Sequence, residues 1–440
     1  MSDNKPLIVG DIDHDESNRE EDSVPPHAEM TSIQGDVTST ALSRDDGVEI
    51  TATSLTGAST QSAVRINVYE NIPFAGGDGD YSILSVLFGA HSIGEGIFGF
   101  LNMIDSNKVR VQCRECHQAV KDFPWMDAKS RITGSVRAWR AAFPCARAVN
   151  VSNRQDIVDA DFVHIRGDAL VRLHTVSMGF CLRVTDSAFV HLSGIHTLNM
   201  SACRQITDAA FVNLRGIHTL NMSYCDQSTI TDAAFVHLSG IHTLYMSGCS
   251  QITITDAAFV HLRGIHKLDM SHCSQITITD AAFVHLSGIH TLNMSYCRQI
   301  TNAAFVHLSG IHTLDMSVCD QATITDAAFV NLRGIHTLNM SECDQITITD
   351  AAFVHLSGIH TLNMGGCRQI TNAAFVHLSG IHTLNMSCCS QVTITDAAFV
   401  HLSGIHTLNM SGCRQITDAA FVHLRESGFT HSIRRAVSPP

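Results

Sequence analysis

The sequence predicts an α/β solenoid, a stack of short parallel strands backed by short helices, over nearly two-thirds of the 440-residue chain. Three observations predict it. A skeleton LxxIxxLxMxxCxxITDxAF recurs between residues 149 and 424, with cysteines at Cys181, Cys203, Cys225, Cys249, Cys273, Cys297, Cys319, Cys343, Cys367, Cys389 and Cys413, spaced 22 or 24 residues apart. A fixed period of that length is the signature of a repeat architecture. Within each copy, as in Thr197-Leu198-Asn199-Met200-Ser201, polar and apolar residues alternate, the period of a strand with one buried face, so that Leu198 and Met200 point inward. Thr207 or Asp208 then offers a side-chain oxygen to cap a helix whose body and apolar side are Ala209, Ala210, Phe211 and Leu214.

A degenerate first copy runs from Val149 to Phe162 with Arg154 in the cysteine position, which brings the number of copies to twelve. The longer spacing inserts two residues, as in Ile252-Thr253-Ile254-Thr255-Asp256. One copy buries too little apolar surface to offset the ordering of its own chain, so the copies must stack, strands on the concave side and helices on the convex side. The cysteine lies where each coil leaves its strand, a place for a small side chain that bonds to backbone. Eleven equivalent thiols argue for one repeated structural role rather than for paired disulfides.

Ahead of the repeats the composition changes. Residues 1–78 are rich in Asp, Glu, Ser, Thr and Gly and are expected to be a disordered acidic arm. A small all-α module is expected over 79–127, where apolar residues return from Tyr81 and where Val109, Cys113, Cys116 and Val120 share one helix face after the candidate cap Asp105. Residues 128–148 are expected to form a helical linker or N-terminal cap carrying Val136, Trp139 and Phe143, and residues 425–440 a C-terminal tail.

The formal charge of −13 is concentrated in the first 50 residues, which hold 13 acidic and 3 basic side chains. No basic stretch is available to neutralise phosphates, so a nucleic-acid partner is not expected. No secretory leader pattern and no apolar run of about 18 residues is present, which leads to the expectation of a cytoplasmic or nuclear protein with reduced thiols and no membrane contact.

Four further patterns invite chemistry and yield none. Cys113-Arg114-Glu115-Cys116-His117 matches the spacing of covalent haem attachment, yet both cysteines fall on the apolar helix face, and a zinc site would find only Cys145 nearby. Histidines recur at two repeat positions, as at His191 and His196, and are expected to stack as a solvated ladder that disfavours protonation, with nothing to complete a metal site. Ser, His, Asp and Cys recur in nearly every copy, whereas catalysis needs one singular constellation; no enzyme, cofactor or metal is therefore expected. Asn199-Met200-Ser201 and its counterparts match a glycosylation sequon but sit in strand positions. Binding information should lie where copies differ, in the columns flanking the cysteine and on the strand. Tyr224, Tyr245 and Tyr296, with Arg298, are the candidate anchors, because aromatic and Arg side chains dominate binding hot spots.

The skeleton resembles the cysteine-containing leucine-rich repeat, which occurs above all in the F-box and leucine-rich-repeat family, the substrate receptors of SCF-type cullin-RING ubiquitin ligases. In the module before the repeats, Ile97-Phe98-Gly99-Phe100-Leu101 resembles the central segment of an F-box, Asp105 to Val111 its following helix start, Cys113-Arg114 part of its Val-Cys-Arg, and Trp125 its trailing tryptophan. Ser92-Ile93-Gly94-Glu95 stands where the family has Leu-Pro. The resemblance implies that Ile97, Phe98, Phe100, Leu101, Val109 and Val111 form or support a docking surface for a Skp-type adaptor and, through it, a cullin scaffold. The repeats would hold a protein substrate, and the chain would act by raising local concentration rather than by making bonds. The alternative is a repeat scaffold without a ubiquitin connection, its helical module only sealing the open end of the solenoid.

Overall fold

The computed structural model of the chain describes residues 48–54, 62–68, 114–166, 173–275, 277–345, 347–425 and 433–434. The chain divides into two units, 1–79 and 80–440.

In the first unit, β1 (Val48–Ser54) and β2 (Ser62–Val68) pair antiparallel, with Val48 opposite Val68, Ile50 opposite Ile66 and Ala52 opposite Val64. The arm expected to lack a fold spans this hairpin, which is what the structure describes of residues 1–78. Composition hid a period-two alternation, apolar at 48, 50 and 52 and again at 64, 66 and 68, which is the strand signal itself.

The second unit is built on a 13-stranded parallel sheet whose strands lie side by side in chain order. They are β3 (Ala148–Asn150), β4 (Thr175–Ser177), β5 (Thr197–Asn199), β6 (Thr219–Asn221), β7 (Thr243–Tyr245), β8 (Lys267–Asp269), β9 (Thr291–Asn293), β10 (Thr313–Asp315), β11 (Thr337–Asn339), β12 (Thr361–Asn363), β13 (Thr383–Asn385), β14 (Thr407–Asn409) and β15 (Ile433–Arg434). The register is exact in kind from coil to coil: Leu198 pairs with Leu220, Leu220 with Leu244, Leu244 with Leu268. β15 pairs with β14 from within the segment expected to be a tail, so the sheet extends one short strand past the last recognisable copy.

Behind the sheet most coils return through a four-residue α-helix that tightens into a 3-10 turn, as at Asp208–Phe211 and Val212–Leu214, or through a 3-10 helix alone, as at Asp280–Leu286, while the first and last use six-residue helices, Asp161–Arg166 and Ala420–Arg425. The cap is the threonine: Thr207 Oγ1 accepts from Ala209 N at 3.2 Å. Asp208 has a different task, bonding the next coil, where Thr231 N and Thr231 Oγ1 donate to its carboxylate at 2.8 and 2.7 Å. Leu198, Met200, Cys203, Ile206 and Phe211 and their equivalents are fully buried and form one continuous apolar core along the stack. Each repeat cysteine donates from Sγ to a strand-end carbonyl of the preceding coil, as Cys203 does to Met178 O at 3.2 Å and Cys273 to Met246 O at 3.1 Å.

The open N-terminal end of that core is covered by α1 (Arg114–Asp122) and α2 (Val136–Ala142). Trp125 is buried, donates from Nε1 to Val120 O at 2.8 Å, and meets Phe123 and Phe143 edge-on at ring distances of 4.7 and 5.9 Å. Val136, Trp139 and Phe143 join the same core as Val149 and Phe162 of the first coil. Arg140, also buried, ties the cap down by donating to Ala146 O at 2.9 Å, His164 O at 3.2 Å and Ile165 O. No break in packing falls at residue 127, because Trp125 belongs to the solenoid's core as much as to the helices before it.

Candidate protein-binding surface

The residues that recur in every copy are committed to the architecture. Eleven histidines, His174, His196, His218, His242, His266, His290, His312, His336, His360, His382 and His406, stack face to face beside the strands with ring centres 4.3 to 4.6 Å apart. Ten of them share a hydrogen bond of 3.0 to 3.1 Å between Nδ1 and the hydroxyl of the threonine that follows. Desolvation, then the neighbouring imidazoles, hold His174, His218 and His242 below the ordinary 6.5. Asn199 Oδ1 accepts from Ser201 N at 3.0 Å to turn the chain out of the strand. Burial pushes the Cys181 thiol up to about 11 and the Cys225 thiol up to about 12, and Cys273 well above its ordinary value, which makes them inert donors rather than nucleophiles.

Each coil thus contributes one strand of the LxxIxxLxM pattern, a cysteine-bonded turn and a capped helical return, in register with its neighbours. The fold is a leucine-rich-repeat solenoid. Among the described residues no group of three or more His, Cys, Asp or Glu is placed to hold a metal, and no helix is long and apolar enough to cross a membrane.

On this monotonous leucine-rich-repeat surface the candidate anchors come together. Within the four successive coils of β6 to β9, Tyr224 lies in the first, Tyr245 in the second, and Tyr296 and Arg298 in the fourth, which accounts for three of the chain's five tyrosines. Tyr224, 54% exposed, lies over Gly248 of the next coil, where a Cβ would stand 2.7 Å from its ring. His272 stacks on Tyr296 at 4.1 Å and 19°, and Tyr296 is 40% exposed. Arg298 pairs with Asp320 at 3.4 Å, both side chains open to solvent. On β7, Tyr245 carries the ammonium of Lys267 over its ring at 5.6 Å.

Tyr224, His272 and Tyr296 share the left-handed backbone of the turn that leaves each strand, with φ of 59°, 57° and 61°, as do Phe180, Ala202, Val318, Glu342 and Cys388, while Gly248, Gly366 and Gly412 adopt it freely. The conformation belongs to the repeat, and only the side chain it presents differs from coil to coil. Lys267, on the Tyr245 ring, is a candidate that the sequence reading missed. Its signal was available: it interrupts a column of ten threonines, and no other lysine follows residue 129.

The adaptor-docking residues expected from the resemblance, Ile97, Phe98, Phe100, Leu101, Val109 and Val111, lie outside the described residues, as does Cys113. No family model and no curated protein matches the chain. Solved structures do. A chain from the Drosophila Toll–Spatzle complex matches at 14% identity and TM-score 0.47, over 60% of this chain and 39% of that one. A chain from the yeast Rad7–Elc1 complex matches at 13% identity and TM-score 0.37, over 78% of this chain and 96% of that one. An internalin from Listeria monocytogenes matches at 18% identity and TM-score 0.43, over 61% of this chain and 81% of that one.

Proposed function

We propose that the chain is a non-catalytic, protein-binding leucine-rich-repeat protein that serves as the substrate receptor of an SCF-type cullin-RING ubiquitin ligase in the cytoplasm or nucleus. The observation that carries the binding half is that Tyr224, Tyr245, Lys267, His272, Tyr296 and Arg298 fall on successive coils at positions where the copies differ. Aromatic and cationic side chains are the composition of a binding hot spot. The ligase half rests on the F-box-like residues 97–111 preceding the repeats in the order the family uses. Catalysis is disfavoured because the recurring His, Asn, Asp and Cys side chains are held in hydrogen bonds within or between coils.

One observation favours the second reading, a scaffold without a ligase. Trp125, α1 and α2 seal the first coil, a task that would by itself explain helices at this place. A pull-down of the full chain with a purified Skp-type adaptor separates the two. Adaptor binding that is lost on Phe98→Ala/Leu101→Ala, with an unchanged melting temperature, supports the receptor. A folded wild-type chain that leaves the adaptor in solution favours the scaffold.

A further inference from the structure

We infer that Lys267 and His266 together form the docking point for a carboxylate side chain of the protein partner, an Asp or Glu reaching across the concave strands at β8. The inference rests on the protein-binding reading above and gives the partner a chemistry.

The first observation is a local break in the histidine ladder. Where ten other ladder histidines share Nδ1 with a following threonine, residue 267 is lysine, and His266 has no such hydroxyl beside it. Its ring is turned accordingly, 27° from His242 and 21° from His290, while no other adjacent pair in the ladder exceeds 19°. One imidazole of the ladder, still stacked on both neighbours, thus lacks its threonine partner at the coil where a cation enters the strand. An imidazole N–H and an ammonium on consecutive residues are two donors of the kind a carboxylate accepts.

The second observation is the charge around them. The neighbouring strands place Thr243 and Tyr245 on one side and Thr291 and Asn293 on the other, all uncharged. The carboxylate nearest along the strand, Asp269, is engaged by Ser271, which donates to its Oδ1 from N at 3.0 Å and from Oγ at 2.7 Å. Lys267 itself rests on the Tyr245 ring, which leaves its charge without a carboxylate among the contacts of the described residues. A charged hydrogen-bond donor held above a ring, next to that imidazole and between uncharged strands, is complementary to one acidic side chain. Tyr224, His272 and Tyr296 then supply apolar contact for the residues flanking it.

The test uses a displayed library of random dodecapeptides selected on the full chain, then measured individually against the wild type, Lys267→Thr and Lys267→Arg. Lys267→Thr installs the residue that ten other coils already carry, so the fold is preserved by design, and equal melting temperatures confirm it. The expected result is a selected set rich in Asp and Glu that binds Lys267→Thr about tenfold more weakly and is largely rescued by Lys267→Arg. Selected peptides without acidic residues, or with affinity indifferent to Lys267→Thr, would overturn the docking point while leaving peptide binding by the solenoid intact. A library that yields no binder at all would overturn both.

Discussion

Lowering the pH from 7.5 to 5.5 should destabilise the solenoid through its histidine ladder. Protonating two adjacent rings sets unit charges about 4.4 Å apart, as at His218 and His242. Most of the rings are exposed, so the charge–charge part is worked with the water dielectric at about 0.9 kcal/mol for each neighbouring pair, roughly halved by 0.15 M salt, and partial desolvation adds to it at His174, His218 and His242. The ladder has ten such neighbouring pairs. Full protonation would thus cost on the order of 5 kcal/mol, and the partial protonation reached at pH 5.5 about half of that. The direction follows from linkage. His174, His218 and His242 are held below 6.5 in the folded state, so the unfolded chain takes up protons first. Their stabilising contribution is complete above the unfolded value and is lost as the pH falls below it towards the folded values. Calorimetric melting of the full chain should show a fall of about 5 °C between the two pH values, shrinking by more than half in 1 M salt. A melting temperature that holds or rises in acid, or a fall that salt leaves untouched, would refute repulsion within the ladder.

Other consequences are simpler to read. Phe329→Ala, at a fully buried position, should cost about 3 to 5 kcal/mol in denaturant unfolding. Asp256→Ala removes the acceptor of Thr279 N and Thr279 Oγ1, both at 2.7 Å, and should cost about 1 to 2 kcal/mol by the same measurement. In native alkylation followed by mass mapping, Cys388, which is exposed, should react within minutes, while Cys203, Cys249, Cys297 and Cys343 stay protected until the chain unfolds. Gly248→Ala should displace the Tyr224 ring that covers it and weaken any peptide recovered in the selection above, at a stability cost of about 1 kcal/mol.

The repeat made most of the solenoid legible before any coordinates. Leu198 and Met200 alternate with polar neighbours, and both prove buried, because a strand's period is written directly in which residues are apolar. Local pattern could not choose between Thr207 and Asp208 as cap, since the choice depends on the aspartate having a better partner in a coil 23 residues away. The β1–β2 pairing was present as alternation but was masked by a composition that argued for disorder. At the candidate surface, Tyr224, Tyr245, Tyr296 and Arg298 were found by comparing copies, and the coordinates add what each touches: Gly248, Lys267, His272 and Asp320 in turn. Lys267 is hard to see in sequence because it stands in the threonine column inside the strand, away from the variable columns that flank the cysteine. The turned ring of His266 has no trace in sequence, as it follows from a hydroxyl that is missing next door.

The sameness of the coils has a consequence for length. Since β10 meets β11 as β11 meets β12, Leu314 on Leu338 and Leu338 on Leu362, removing one interior coil would rejoin two surfaces that already fit. Such a chain can grow or shrink by whole turns with little penalty, as a spring can be cut and still be a spring. The coils from β6 to β9 are the exception, because Lys267 and its aromatic neighbours occur once, so whatever is lost or gained by copying elsewhere, the distance from that patch to either end is the quantity free to drift.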